Sequence, residues 1–299
     1  LLRLVDDGVI DLEERVAAYW PNFAQNGKET MTVRTLISHQ SGVIYADGAP
    51  AGSLWDIQPV RRALEAATPE WEPGMGGAYH SFTYGPLLDG LIFNATGRGV
   101  ADVWREEIAD PLGIDYHIGL NDEEAARRAE FVETPGTPSR DAIKGDIRTP
   151  LTRAWAPLPR DEDFNSEDWV RGSFASANGH GNARAIARLY GGLAGDGTIG
   201  GKTYLSRELI ADAISEHWDD MDRMTNRPFR FGCGFMLSCE AFPFGGQRRN
   251  FGHTGIGGAI GFGDPERRLG FSYCGNRMAP IANTGPFGGP LIDAMYTAL

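Results

Sequence analysis

The stretch Trp71-Glu72-Pro73-Gly74 through Tyr79-His80-Ser81-Phe82-Thr83-Tyr84-Gly85 constrains this chain more than any other. Pro73-Gly74 suits a tight turn, because proline presets φ and glycine accepts a positive one. Leu87, Leu88, Leu91 and Ile92 then recur at helical spacing, and Thr83 can cap that helix with its hydroxyl. Tyr79 is thus predicted just ahead of a helix N-terminus, where backbone N–H groups and the helix dipole favour negative charge. A tyrosine whose pKa is lowered in this way is a competent general base. Taken alone, a tyrosine is more often a buried ring tied down through its hydroxyl.

A second pattern lies far downstream, at Phe251-Gly252-His253-Thr254-Gly255-Ile256-Gly257-Gly258. It falls among short runs that read as strands: Phe229 to Leu237, Asn250 to Thr254, Gly258 to Phe262 and Leu269 to Cys274. Gly263-Asp264-Pro265-Glu266 fits a hairpin turn, so these strands should pair antiparallel. A helix from Leu291 to Leu299 should cover one face of that sheet. Upstream the periodicity is mainly helical: Thr32 onward, Pro59 to Ala67, Val100 to Ile108, Asn182 to Leu193, and from Ser206 to about His217. Residues 131–180 are proline-rich with little periodicity, and are read as a wall or lid of a cleft. Trp155 and Trp169 within them read as exposed, binding aromatics. Residues 1–200 are therefore expected to form a mainly helical lobe, and 201–299 a sheet lobe with the C-terminal helix.

The Tyr79 stretch resembles the tyrosine motif of the serine β-lactamase and penicillin-binding-protein superfamily. It is most similar to the esterase branch related to class C β-lactamases, the family VIII carboxylesterases. His253-Thr254-Gly255 resembles that family's Lys-Thr-Gly strand, with His in place of Lys, and Pro111-Leu112-Gly113 after a helix is also typical of it. The resemblance implies an α/β (α+β) fold of the β-lactamase/transpeptidase type, an antiparallel sheet flanked by helices. It implies Tyr79 as base or proton relay. Ser81, His253, Thr254 and Gly255 would meet the substrate, and the Ile256 N–H would serve an oxyanion hole. Ser81 stands where β-lactamases carry Asn, and a neutral His253 cannot hold a carboxylate as Lys does. Both departures point toward uncharged short-chain esters, cleaved through an acyl-enzyme. The alternatives are a β-lactamase or D-alanyl-D-alanine peptidase, and a non-catalytic binding protein that has lost its nucleophile.

The family's nucleophile sits in Ser-x-x-Lys, with Lys one helical turn after Ser. No serine of these 299 residues is followed by Lys at that spacing, and there is no Gly-x-Ser-x-Gly elbow. Leu1 to Gly8 reads as the end of a helix that begins in mid-pattern. The expectation is a truncated member of the family, inactive as printed, with an exposed apolar surface along Leu1, Leu4 and Val5. His39 in Ser38-His39-Gln40-Ser41-Gly42, His80 and His180 take structural readings.

The chain carries net charge −12 and no basic run, which speaks against nucleic acid as a partner. No apolar run approaches the roughly 20 residues of a membrane span. Three cysteines, without zinc spacing, suggest reduced thiols in a cytoplasmic protein. No cofactor is implied, and the partner expected is a small ester or amide.

Overall fold

Short polar residues start the helices by satisfying backbone N–H groups that have no partner within the helix. Thr32, Asp56, Asn182 and Ser206 accept from Thr35, Gln58, Ala185 and Leu209, opening helices Val33–Ile37, Ile57–Ala66, Ala183–Ala194 and Arg207–Ala213. The first helix, Leu2–Asp6, stops before Gly8 at φ +69°, as its sequence requires. Leu4 is buried and Leu1 and Val5 are half-buried, so the bare apolar stripe expected there is largely covered. The computed structural model describes residues 1–134, 148–159, 162–279 and 284–299. The wall or lid expected over 131–180 falls partly on 135–147 and 160–161, outside the described residues.

Two small antiparallel pairs interrupt the helical part. Strand β1 (Tyr116–Ile118) pairs with β2 (Gly179–Gly181), and β3 (Thr198–Ile199) with β4 (Lys202–Thr203). None was expected, because runs this short leave no readable alternation. The main sheet is a six-stranded antiparallel meander in chain order: β5 (Trp218–Met221), β6 (Pro228–Phe231), β7 (Met236–Leu237), β8 (Phe251–Thr254), β9 (Ile260–Asp264) and β10 (Leu269–Tyr273). The run expected over Phe229–Leu237 splits in two, because Gly232 donates to the Phe235 carbonyl and Gly234 takes φ +89°. Strand β5 escaped sequence reading because three of its four residues are exposed on an edge. The β9–β10 turn sits later than expected. Buried Asp264 stays in the strand, where its carboxylate accepts from the Arg267 N–H and the Tyr296 hydroxyl.

Alternation along the strands decides which helix covers which face. Gly261 and Gly263 lie against Ile186, Tyr190 and Ala194 of the Ala183–Ala194 helix. At Gly270 a Cβ would stand 2.1 Å from the Ala187 carbonyl oxygen, so this helix seats on bare backbone. Ile260 and Phe262 point the other way, into a cluster with Phe244 and Ile292 of the C-terminal helix. That helix spans Gly285–Ala298, starting six residues before the expected Leu291.

Candidate active site

Backbone geometry delivers Tyr79 to its place. Met75 N–H donates to the Glu72 carbonyl at 3.0 Å with Gly74 at φ +90°, the turn expected of Pro73-Gly74. A Cβ on Gly77 would stand 2.3 Å from the Trp218 ring, so only glycine lets the chain pass β5 this closely. Ala78 N–H then donates to the His39 carbonyl at 3.0 Å. The Tyr79 N–H donates to the carboxylate of buried Asp222. The helix Ser81–Thr96 starts two residues later. Thr83 does not cap it. It lies inside the first turn, with its hydroxyl donating to the Val43 carbonyl at 3.2 Å and meeting His80 Nδ1 at 2.9 Å.

Aromatic rings pack around Tyr79. Phe229 and Phe231 of β6 stack on it with centroids 5.9 and 6.0 Å away, and His39 approaches edge-on at 5.4 Å. His253 of β8 lies at 5.4 Å, so the two halves of the sequence pattern meet in one place. The Tyr79 hydroxyl has no hydrogen-bond partner among the described residues. Burial, and then the charge of Asp222, pushes the phenol above its usual range. The lowered pKa expected from the helix terminus is therefore reversed: desolvation of a phenolate outweighs the dipole. Burial also lowers the His253 imidazole below 6.5, leaving the ring neutral at pH 7.

The end of β8 shapes a donor. Gly255 N–H is spent on the Ala259 carbonyl at 2.8 Å, and Gly258 N–H returns to the Gly255 carbonyl at 2.9 Å. Ile256 sits at the second position of that turn, beyond the strand, and its N–H is unpaired among the described residues. Thr254 is buried, pairing with Ile260 across the ladder. Ser81 opens the helix beside Tyr79, and its hydroxyl oxygen accepts from Trp155 Nε1 at 3.2 Å. Trp155 and Trp169 are both buried, not exposed. Trp155 reaches the site through Ser81, whereas Trp169 packs against Trp55 and Phe164 in the helical core. Among the described residues no acid, His or Cys cluster suited to a metal occurs.

The Beta-lactamase family model matches residues 1–285. The chain is 34% identical to the esterase/beta-lactamase LipL of Mycobacterium tuberculosis over 94% of its own length and 67% of LipL's. The chain belongs to the serine β-lactamase and penicillin-binding-protein superfamily. Two solved structures of this superfamily share its fold. A penicillin-binding-protein homologue from Caulobacter crescentus gives a TM-score of 0.89 at 33% identity, covering all of this chain and 79% of that one. A family VIII carboxylesterase gives 0.87 at 33% identity with the same coverage. The superfamily's fold, a mixed α/β arrangement with an antiparallel sheet, is the one expected from the sequence.

Two residues near Tyr79 were given no functional role in the sequence reading. Asp222 binds Tyr79 and also accepts from the Thr225 N–H and hydroxyl at 2.6 and 2.7 Å. The Asp-x-x-Thr spacing in Asp222-Arg223-Met224-Thr225 was its available signal, since such pairs close local turns. His39 was read as part of a structural turn. It is buried in that role at φ +63°, yet its ring lies 4.1 Å from Tyr84 and 4.6 Å from His80, directly behind Tyr79.

Proposed function

We propose that the protein is a serine carboxylesterase of this superfamily, cleaving uncharged short-chain esters through an acyl-enzyme. The observation that carries the reading is the meeting of Tyr79 with a neutral His253, three residues ahead of an Ile256 N–H that is unpaired among the described residues. In this reading a serine hydroxyl attacks the ester carbonyl. The Ile256 N–H donates to the oxyanion that forms. Tyr79 passes the serine's proton to the departing alkoxide. Water then cleaves the acyl-serine ester with the proton path reversed. Ser81, Thr254 and Gly255 would line the bound acyl or alcohol part.

Tyr79, held as a neutral phenol by burial, suits the donor half of this cycle. It would become a base only with a cation brought beside it, which lowers a phenol's pKa. The Ser-x-x-Lys that supplies such a pair elsewhere in the superfamily does not occur in these 299 residues. A neutral His253 leaves a substrate carboxylate without a counter-charge, which favours esters over carboxylated lactams or peptides. The name of the family VIII carboxylesterase supports the same choice, while that of LipL covers both an esterase and a beta-lactamase. The three free thiols suit a reducing, cytoplasmic compartment. Measured side by side, kcat/KM for p-nitrophenyl butyrate should exceed that for nitrocefin by at least about 100-fold, or about 2.7 kcal/mol of transition-state binding. A preference for nitrocefin would replace this reading with a β-lactamase.

A further inference from the structure

A well-formed cavity lies away from Tyr79. It has a volume of about 660 Å³, within the roughly 300–1,000 Å³ of small-molecule sites. Arg207, Arg230, Arg248, Arg249 and Arg268 line it, and Glu216 is the single acidic residue on its wall. In a chain of net charge −12 this is a local reversal of sign. Its remaining lining includes Leu193, Ile210, Ile214 and Leu237. The site thus combines a cationic rim with an apolar floor.

The five guanidinium groups are not equally engaged. Arg230 and Arg248 share Glu216 and Asp219, and Arg230 also donates to the carbonyls of Ser238 and Arg248. Arg230 is thereby a buried structural cation. Among the described residues, Arg207 and Arg268 pair only with Asp196, at 3.5 and 3.8 Å, from side chains 70% and 67% exposed. Pairs that long and that wet hold little energy, so both forks can be redirected. Exposed Arg249 has no charge partner among the described residues. Arg230 also fixes the cavity's place. It lies between Phe229 and Phe231, whose rings stack on Tyr79, and neighbouring strand residues face opposite ways. The cavity and Tyr79 are on opposite sides of β6.

We propose that this cavity binds an organic anion with an apolar body. Arg207, Arg249 and Arg268 hold its carboxylate or phosphate head, whose oxygens match the guanidinium fork. The apolar tail lies on Leu193, Ile210, Ile214 and Leu237. The inference is independent of the esterase reading.

Calorimetric titration of the full-length protein with decanoate, decyl phosphate, decanol and inorganic phosphate tests it. At least one of the two amphipathic anions should bind, and at least tenfold more tightly than both decanol and inorganic phosphate. The double variant Arg207→Glu/Arg249→Glu should weaken that binding tenfold or more, and Tyr79→Phe should leave it unchanged. Arg207→Glu alone should weaken it severalfold; it places an acid at a helix start, where acids are tolerated well, so folding is preserved. Equal binding of decanol or of inorganic phosphate would overturn the proposal. So would unchanged binding in the folded charge-reversed variants, loss of binding in Tyr79→Phe, or no binding of either amphipathic anion at millimolar concentration.

Discussion

At the scale of single residues, burial governs the chemistry around Tyr79. It keeps the phenol protonated, and it keeps His39, His80 and His253 neutral. A histidine whose folded pKa is depressed binds fewer protons folded than unfolded. Its neutral form costs nothing above the unfolded value near 6.5, and stability is lost as pH falls from there toward the folded value. For His80 that folded value is about 3. Urea midpoints should therefore fall between pH 7 and pH 4.5, and His80→Gln should show a shallower fall than the parent. Identical slopes would remove His80 from the account. Asp222 acts differently, as a buried acceptor for the backbone of two segments. Asp222→Ala should cost about 3 kcal/mol in urea unfolding, because several N–H groups lose their partner. A change below about 0.5 kcal/mol would show that the bond to Tyr79 carries no weight. Tyr79 and His253 were legible as a pair because each sits in a motif. Asp222 was not, because a long-range bond leaves no local pattern, and Trp155 was singled out as an exposed aromatic whereas it is buried with its Nε1 donating to Ser81.

At the scale of elements, glycine placement determines how the layers approach. Gly270 presses on the Ala187 carbonyl and Gly191 N–H, and neither is a side chain that can swing aside. Gly270→Ala should destabilise the protein by about 3 kcal/mol through overpacking, read as a lowered thermal midpoint. A midpoint within one degree of the parent would mean that helix and sheet are not in contact there. Helix starts were readable because Thr32, Asn182 and Ser206 advertise their capping hydroxyl or amide oxygen. Thr83 misled for the same reason: its hydroxyl has a better partner, the Val43 carbonyl, brought near only by the fold. Strand boundaries slipped where tertiary bonds decide them. Asp264 looked like a turn residue, but Arg267 and Tyr296 hold it in β9.

At the scale of the whole molecule, two distant stretches of sequence converge on one place. The Tyr79 stretch arrives from the helical part and the His253 strand from the sheet, and their rings meet at 5.4 Å. The central claim is that Tyr79 moves the proton between nucleophile and leaving group. Steady-state hydrolysis of p-nitrophenyl butyrate by full-length Tyr79→Phe tests it most directly, because only the hydroxyl is removed and the ring packing stays. The account predicts a fall in kcat of roughly 10²–10⁴ with little change in KM, the usual worth of a positioned acid or base. Turnover within a factor of two of the parent, in a variant that melts at the parent's temperature, would contradict it.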